Sequence, residues 1–275
     1  MDWHRVKTLL LALLLLVNGY LAYELYDMER DRDYISDSYV SQAADSLKTR
    51  GIFISADKIP QKRPVEPIVI TTAAEDEYDY FANKLAGENE VQVSVREEGK
   101  VYSFGDNTFT VYNDGTFEYN TADSGEYEAV TRRRAESLTR TFVEISGLSS
   151  ADFEITEKDA TENGFTFTVQ RYKNKLPIEG YTTEVEIAGK KVARASGKLL
   201  TGKVSSEIAT DFSNSVNVLF AIASALGNEE MTIKEMTLTY VAGENYPEIA
   251  FTPMYVVEAD GYNFKYDLST GQIIQ

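Results

Sequence analysis

The sequence predicts an α+β fold in which a single amino-terminal transmembrane helix is followed by two lobes of helices packed on twisted antiparallel sheets. Two observations support this class. An uncharged stretch near the amino terminus has the length of a membrane span. The rest of the chain twice repeats the same order of helical and strand patterns. We expect residues 1–25 to form a cytoplasmic tip and anchor, 26–120 a first extracytoplasmic lobe and 121–275 a second.

The amino-terminal stretch is the first element. The chain carries no charge from Thr8 to Tyr23, and Leu9 to Val17 is entirely apolar. Counted from Val6 to Leu25 the stretch has 20 residues, which matches the ~30 Å hydrocarbon core of a bilayer. Arg5 and Lys7 precede it, whereas acidic residues dominate after it. This asymmetry predicts a cell-membrane protein with a cytoplasmic amino terminus and an extracytoplasmic carboxy-terminal part.

Aromatic residues bracket the stretch, as membrane-interface anchors do. Trp3 precedes it, and Tyr20 and Tyr23 lie near its end. A cleaved signal peptide is the alternative, but its apolar region is shorter and ends in a small-x-small cleavage site. Tyr20 and Ala22 fit such a site badly, so we favour a retained anchor. Both interpretations export the rest of the chain.

Asn18 and Gly19 are the candidate interaction residues of the predicted span. A side-chain amide in hydrocarbon lacks water, so a partner on another helix stabilises it by roughly 0.6–2 kcal/mol. Gly19 allows two helix backbones to approach closely. The alternative is that Asn18 lies near the outer interface and is hydrated. We predict that both residues contact another membrane helix.

Composition excludes several classes of function. The chain has 44 Asp and Glu against 27 Lys and Arg, and the net charge of −17 is carried by residues 26–275. A chain this acidic does not bind the phosphate backbone, so we expect no nucleic-acid partner. The absence of Cys excludes disulfides and thiol chemistry, and a single His leaves no His-rich metal site. We expect no catalytic residues, no cofactor and no metal, and therefore not an enzyme.

The first lobe begins with a predicted helix from Met28 to Arg50 that places Val40, Ala43, Ala44 and Leu47 on one face. A second helix is predicted from Glu75 to Ala86. The acidic residues at its start, Glu75 to Asp79, match no calcium-loop spacing, and we interpret them as a solvated first turn. Alternating apolar residues then predict an antiparallel meander, with Asn113-Asp114-Gly115 as a hairpin turn.

The second lobe repeats this order. Asp123-x-x-Glu126 resembles a capping box, and the helix behind it ends before Gly147. Strand patterns follow, and a further helix is predicted from Ser213 to Leu226. Three final strands are predicted near 232–241, 248–258 and 261–266.

The chain contains Met1-Asp2-Trp3, Lys7-Thr8, Asn18, Leu47, Gly51-Ile52, Ile59-Pro60 and the run Leu176-Pro177-Ile178-Glu179-Gly180. Taken together, these residues resemble the pattern of the YycI family. The stretch from Pro253 to Gln272 resembles the closing hairpin of PepSY-like modules. His4 and Arg5 depart from the small or polar residue and the Lys that the family pattern has there, which keeps one cation in place.

The resemblance implies a membrane-anchored, extracytoplasmic accessory regulator. YycI proteins act with a YycH partner on the sensor histidine kinase of the YycFG (WalRK) cell-wall two-component system. It therefore implies two partners, a sensor histidine kinase and a YycH-like protein, reached through transmembrane-helix and ectodomain contacts, and leaves a homodimer or a heterodimer open. The alternative function is a membrane-tethered PepSY-type module that binds or inhibits an exported hydrolase.

Overall fold

The computed structural model describes residues 3–65, 67–72, 75–122, 129–161, 164–198, 202–207, 212–227, 230–243 and 248–274. The helices are α1 (Trp3–Asp33), α2 (Asp37–Lys48), α3 (Glu75–Ala86), α4 (Arg132–Ile145) and α5 (Ser215–Leu226). The strands are β1 (Ile52–Phe53), β2 (Ile68–Thr72), β3 (Gln92–Arg96), β4 (Gly99–Phe104), β5 (Asn107–Tyr112), β6 (Thr116–Thr121), β7 (Phe153–Thr161), β8 (Gly164–Lys173), β9 (Leu176–Ala188), β10 (Lys191–Lys198), β11 (Gly202–Glu207), β12 (Met231–Ala242), β13 (Glu248–Ala259), β14 (Tyr262–Asp267) and β15 (Ile273–Ile274).

The strand pairing corrects the predicted fold class. Among the described residues the strands join into one large sheet that is mixed, because β12 pairs in parallel with both β1 and β9. The chain is therefore mostly a mixed β-sheet with few helices. An α+β class is right in outline, but two purely antiparallel lobes are not what forms. Parallel pairing joins strands that are distant in sequence, and no local turn signal predicts it.

The prediction of a transmembrane helix at the amino terminus is wrong for the described part of α1. Within the described part of the chain, no helix is both long enough and apolar enough to cross a membrane. Lys7, Asn18 and Glu24 interrupt the apolar character of this helix. Every residue from Leu10 to Tyr26 is exposed.

The chain forms two compact units. Unit 1 consists of Met1–Val65, Asp211–Leu238 and Tyr255–Gln275. Unit 2 consists of Glu66–Thr210 and Thr239–Met254. Strands β12 and β13 each contribute residues to both units.

In unit 1 the predicted helix from Met28 to Arg50 is two helices. The chain is extended between α1 and α2, because Tyr34 forms a β-bridge with Lys62 and the Ile35 N–H donates to the Gln61 carbonyl. The face predicted for α2 is confirmed by the burial of Val40, Ala43 and Leu47. Helix α5 starts two residues later than predicted, where the Asn214 side chain caps the helix by accepting from the Asn217 N–H.

In unit 2 eight strands pair antiparallel in the order β7-β8-β9-β10-β6-β5-β4-β3. The predicted meander is therefore confirmed over β3 to β6. Helices α3 and α4 cover one face of this sheet, and the core between them is aromatic. Phe81 of α3 meets Phe109 and Phe142 edge-on, with ring centroids 5.1 and 5.9 Å apart. Such T-shaped pairs add about 0.5–1.5 kcal/mol each beyond burial.

Helix α4 begins at a cap that the sequence pattern did not indicate. The Thr131 hydroxyl accepts from the Arg134 N–H at 3.4 Å, which satisfies one of the free donors of the first turn. The predicted capping box, Asp123 with Glu126, lies outside the described residues.

Candidate functional site

The residues predicted for membrane contacts all belong to α1. Asn18 and Gly19 are exposed, and a Cβ added at Gly19 would meet no atom within 4 Å. Tyr20 and Tyr23 are also exposed. Trp3 lies in the first turn of α1, and its side chain is outside the described residues. The structure brings none of the four described residues against another element, and their roles stay predictions.

The acidic start of α3 holds one carboxylate with a clear structural role. Asp79 accepts a hydrogen bond of 2.7 Å from the Tyr102 hydroxyl and one of 3.2 Å from the Lys100 ammonium. These donors, the Tyr102 hydroxyl above all, hold the pKa of Asp79 below its usual range. Asp79 therefore ties α3 to β4. The side chains of Glu75 to Glu77 lie outside the described residues.

The unit-2 sheet has a second face that neither described helix of unit 2 covers, and we call it the open face. Strand β9 shows the alternation that produces it, because Val185 and Ile187 are fully buried whereas Glu184 and Glu186 are exposed. One row of this face crosses all eight strands through directly paired residues: Thr156, Thr168, Glu184, Ser196, Glu118, Thr110, Val101 and Ser94.

A hydrogen-bonded group lies in the middle of the open face, and we call it the central cluster: Tyr112, Glu118, Asn120 and Arg194. Glu118 accepts from the Arg194 guanidinium at 2.7 Å and from the Tyr112 hydroxyl at 3.2 Å. The carboxylate side chain is 28% exposed and the guanidinium side chain 56%. The cluster thus combines a fixed anion with an arginine and a tyrosine that reach solvent.

The ionisation states of the central cluster follow from these contacts. Hydrogen bonds to Glu118 hold its pKa below its usual range. The largest effect comes from Asn120, and smaller ones come from Arg194 and Tyr112. Burial and the neighbouring Glu118 carboxylate raise the pKa of Tyr112. At neutral pH the cluster therefore contains a carboxylate, a guanidinium and a protonated phenol. It can bind a polar partner surface by charge and hydrogen bonds.

A second ion pair lies on the same face towards β7. The Lys158 ammonium donates to Glu184 across β8. The open face therefore carries charges of both signs, although the whole chain has a net charge of −17. The described residues also contain no group of three or more acidic, His or Cys side chains that could hold a metal ion.

Sequence reasoning missed the central cluster, and only part of it carried a local signal. The hairpin turn at Asn113-Asp114-Gly115 and the inward Phe117 together imply that Tyr112 and Glu118 project from the same face. Arg194 is 76 positions from Glu118. Its place beside β6 depends on the pairing of β10 with β6, which no spacing in the sequence indicates.

Comparison with known proteins concerns the fold. No family model and no curated protein matches this sequence. The chain is similar in structure to an uncharacterized protein from Eubacterium rectale ATCC 33656, with a TM-score of 0.54 and 11% identity over 82% of this chain and 89% of that one. A further structural neighbour is the YpeB C-terminal domain of Bacillus megaterium, with a TM-score of 0.36 and 13% identity over 74% of this chain and 99% of that domain. The first similarity shows a shared fold at an identity too low to indicate function.

Proposed function

We propose that this protein is a non-enzymatic accessory regulator that acts by binding other proteins through the open face of unit 2. The observation that carries the proposal is the central cluster, in which Glu118 fixes Arg194 and Tyr112 at the middle of the open face. The resemblance to YycI supports the choice of partners, a sensor histidine kinase and a YycH-like accessory protein. The PepSY-like character of the fold and the predicted extracytoplasmic location belong to the same proposal.

Arg and Tyr are the side chains that the proposal depends on. Both are enriched among the few residues that dominate binding energy at protein interfaces. An arginine already held by a carboxylate loses less side-chain freedom when a partner binds, and its planar fork offers further donors. Arg194 and Tyr112 donate to the two oxygens of the same carboxylate. The other N–H groups of the guanidinium and the lone pairs of the hydroxyl are therefore offered to a partner from one place on the sheet.

The test is binding of the full chain to the kinase after changes at the central cluster. The double variant Arg194→Ala, Tyr112→Phe leaves the backbone unchanged and removes the guanidinium and the phenol hydroxyl. We expect an affinity loss of roughly 30-fold or more, the size of a hot-spot truncation. Binding is measured by co-purification and by titration with the kinase in detergent.

A matched control removes a cation of similar exposure elsewhere. Lys234 pairs with Asp260 at 3.1 Å on the surface of unit 1, and its side chain is 55% exposed. Lys234→Ala should leave kinase binding unchanged. Equal binding by the cluster variant and the native chain would overturn the proposal, as would an equal loss in Lys234→Ala.

The same proteins test the alternative function. A module that binds and inhibits an exported hydrolase would lower the activity of a protease, and adding the sensor kinase would not relieve this inhibition. Protease inhibition that depends on Arg194, together with no kinase binding at any concentration, would replace the regulator proposal with the hydrolase one.

A further inference from the structure

Strand β3 is a free edge of the unit-2 sheet. Within the described residues it pairs with β4 alone, at the end of the strand order. All five of its residues, Gln92 to Arg96, are exposed. Val93 is 51% exposed and Val95 is 78% exposed. An exposed edge with two apolar side chains is a template for pairing with another strand.

The register shows which backbone groups of β3 point outward. A two-residue turn joins β3 to β4, so Arg96 and Gly99 form a hydrogen-bonded pair. Hydrogen-bonded pairs alternate along an antiparallel ladder, which makes Ser94 with Val101 the next such pair. Val93 and Val95 therefore direct their N–H and C=O groups away from β4. The most exposed apolar residues of the strand also hold its outward backbone groups.

The opposite edge of the same sheet is protected. Strand β7 carries Glu154, Glu157, Lys158 and Asp159, and its register with β8 shifts between Glu157 and Asp159. Charges and bulges of this kind block strand addition. Strand β3 pairs regularly along its length and contains a single charged residue, Arg96. The contrast makes β3 the edge that is open to a partner.

We propose that β3 pairs antiparallel with β3 of a second copy of this chain, with the two-fold axis at Ser94. The sequence Gln-Val-Ser-Val-Arg reads almost the same in both directions. The axis places Val93 opposite Val95 of the second copy, and Val95 opposite Val93 of the second copy. Each of these pairs joins residues with outward backbone groups, so two pairs form four hydrogen bonds and match valine with valine.

The charges of the strand are compatible with this register. Gln92, Ser94 and Arg96 alternate with the valines and so project from the other face. Gln92 lies opposite Arg96 of the second copy, so the single charge of each strand meets a neutral amide. No like charges face each other within the five paired residues. A parallel pairing would place Arg96 beside Arg96.

The small contact sets the expected strength. One strand of five residues buries much less than the roughly 1,200–2,000 Å² of a stable interface. The dimer is therefore weak and concentration-dependent. Two chains of charge −17 repel each other. Added salt screens this repulsion and should therefore strengthen the dimer. The inference depends on the geometry of β3 and not on the function proposed for the open face.

A single-cysteine experiment tests the register directly, because the native chain contains no Cys. In Ser94→Cys the two thiols face each other across the axis in a non-hydrogen-bonded pair, where Cα atoms lie about 4.5 Å apart. In the matched variant Gln92→Cys, which lies on the same strand and face, the thiols are separated by four residues, about 13 Å. A disulfide cannot span that distance.

The expected result is oxidation of full-length Ser94→Cys to a covalent dimer at least about ten-fold faster than Gln92→Cys, as the disulfide geometry requires. Both proteins are kept in mild detergent, which covers the exposed leucines of α1. Dimer is followed on non-reducing gels over a range of protein concentrations. Equal rates for the two variants, or a faster rate for Gln92→Cys, would overturn the proposal.

A second variant tests the backbone hydrogen bonds. Val95→Pro in the Ser94→Cys background removes an outward N–H and leaves the ladder to β4 intact. Its control, Val95→Thr, keeps the N–H and a β-branched side chain. We expect the proline to lower the crosslinking rate to that of Gln92→Cys and the threonine to retain most of it. Fast crosslinking of a folded Val95→Pro protein would contradict strand pairing.

Discussion

Replacing Phe109 by Ala tests the aromatic core beneath the open face. Phe109 is fully buried in β5. Its ring lies 5.1 Å from that of Phe81, 5.7 Å from that of Tyr102 and 5.8 Å from that of Phe117. The ring therefore joins α3 to β5 and to both neighbouring strands, β4 and β6. Its removal leaves a cavity whose wall is formed by three other rings.

The expected loss of stability is about 4–5 kcal/mol. Phe→Ala in a packed core costs about 3–5 kcal/mol. Three aromatic pairs of about 0.5–1.5 kcal/mol each place Phe109 towards the upper end of that range. A domain of ordinary stability, about 5–15 kcal/mol, stays folded after such a loss only in mild conditions.

Urea unfolding followed by far-UV circular dichroism measures the effect. The single Trp, Trp3, lies outside unit 2 and does not report on it. With a slope of about 1–3 kcal/mol per molar urea, the midpoint of the unit-2 transition should fall by roughly 1.5 M or more. Val93→Ala, half-exposed on the same sheet, is the control and should change stability by less than about 0.5 kcal/mol. A loss below about 1.5 kcal/mol for Phe109→Ala would refute the enclosed ring packing.

Three further predictions concern single contacts. In Gly197→Ala the new Cβ would lie 2.2 Å from a carbonyl oxygen of β9. The free energy of unfolding, measured by urea titration, should therefore fall by about 1–3 kcal/mol. Asn214→Ala removes the cap of α5 and should lower the free energy of unfolding by about 1 kcal/mol, with the temperature midpoint falling accordingly. Tyr102→Phe removes the main donor to Asp79, so an NMR titration should show the pKa of Asp79 rising. Because the pKa of Asp79 is lower in the folded chain, its ionised form stabilises the fold above about pH 4 and this contribution is lost as the pH falls through the folded pKa. The Tyr102 variant should lose stability less steeply on the acid side.

Local patterns predicted the elements of this chain well. The bounds of α3 agree with the prediction, and the buried face of α2 is the one that helical spacing indicated. The turn at Asn113-Asp114-Gly115 joins β5 to β6 as expected. These features depend on residues within about ten positions of one another, and periodicity and turn chemistry report such short-range structure.

The predictions of long helices failed. The helix from Met28 to Arg50 is interrupted because the backbone at Tyr34 and Ile35 pairs with the segment at Gln61 and Lys62. The predicted transmembrane helix is not found among the described residues. In the first case the local helix propensity was correctly identified, but the competing backbone partners are 26 and 28 positions away.

The sequence by itself therefore determined most of the shorter helices and strands, the hairpin turn at Asn113-Asp114-Gly115 and the alternation that separates a core face from a polar face. Only the tertiary structure decided that β12 runs parallel to β9, that β10 pairs with β6 and that Arg194 reaches Glu118. Strand pairing over long separations depends on side-chain packing across the whole sheet, and a strand's own residues specify its faces but not its neighbour.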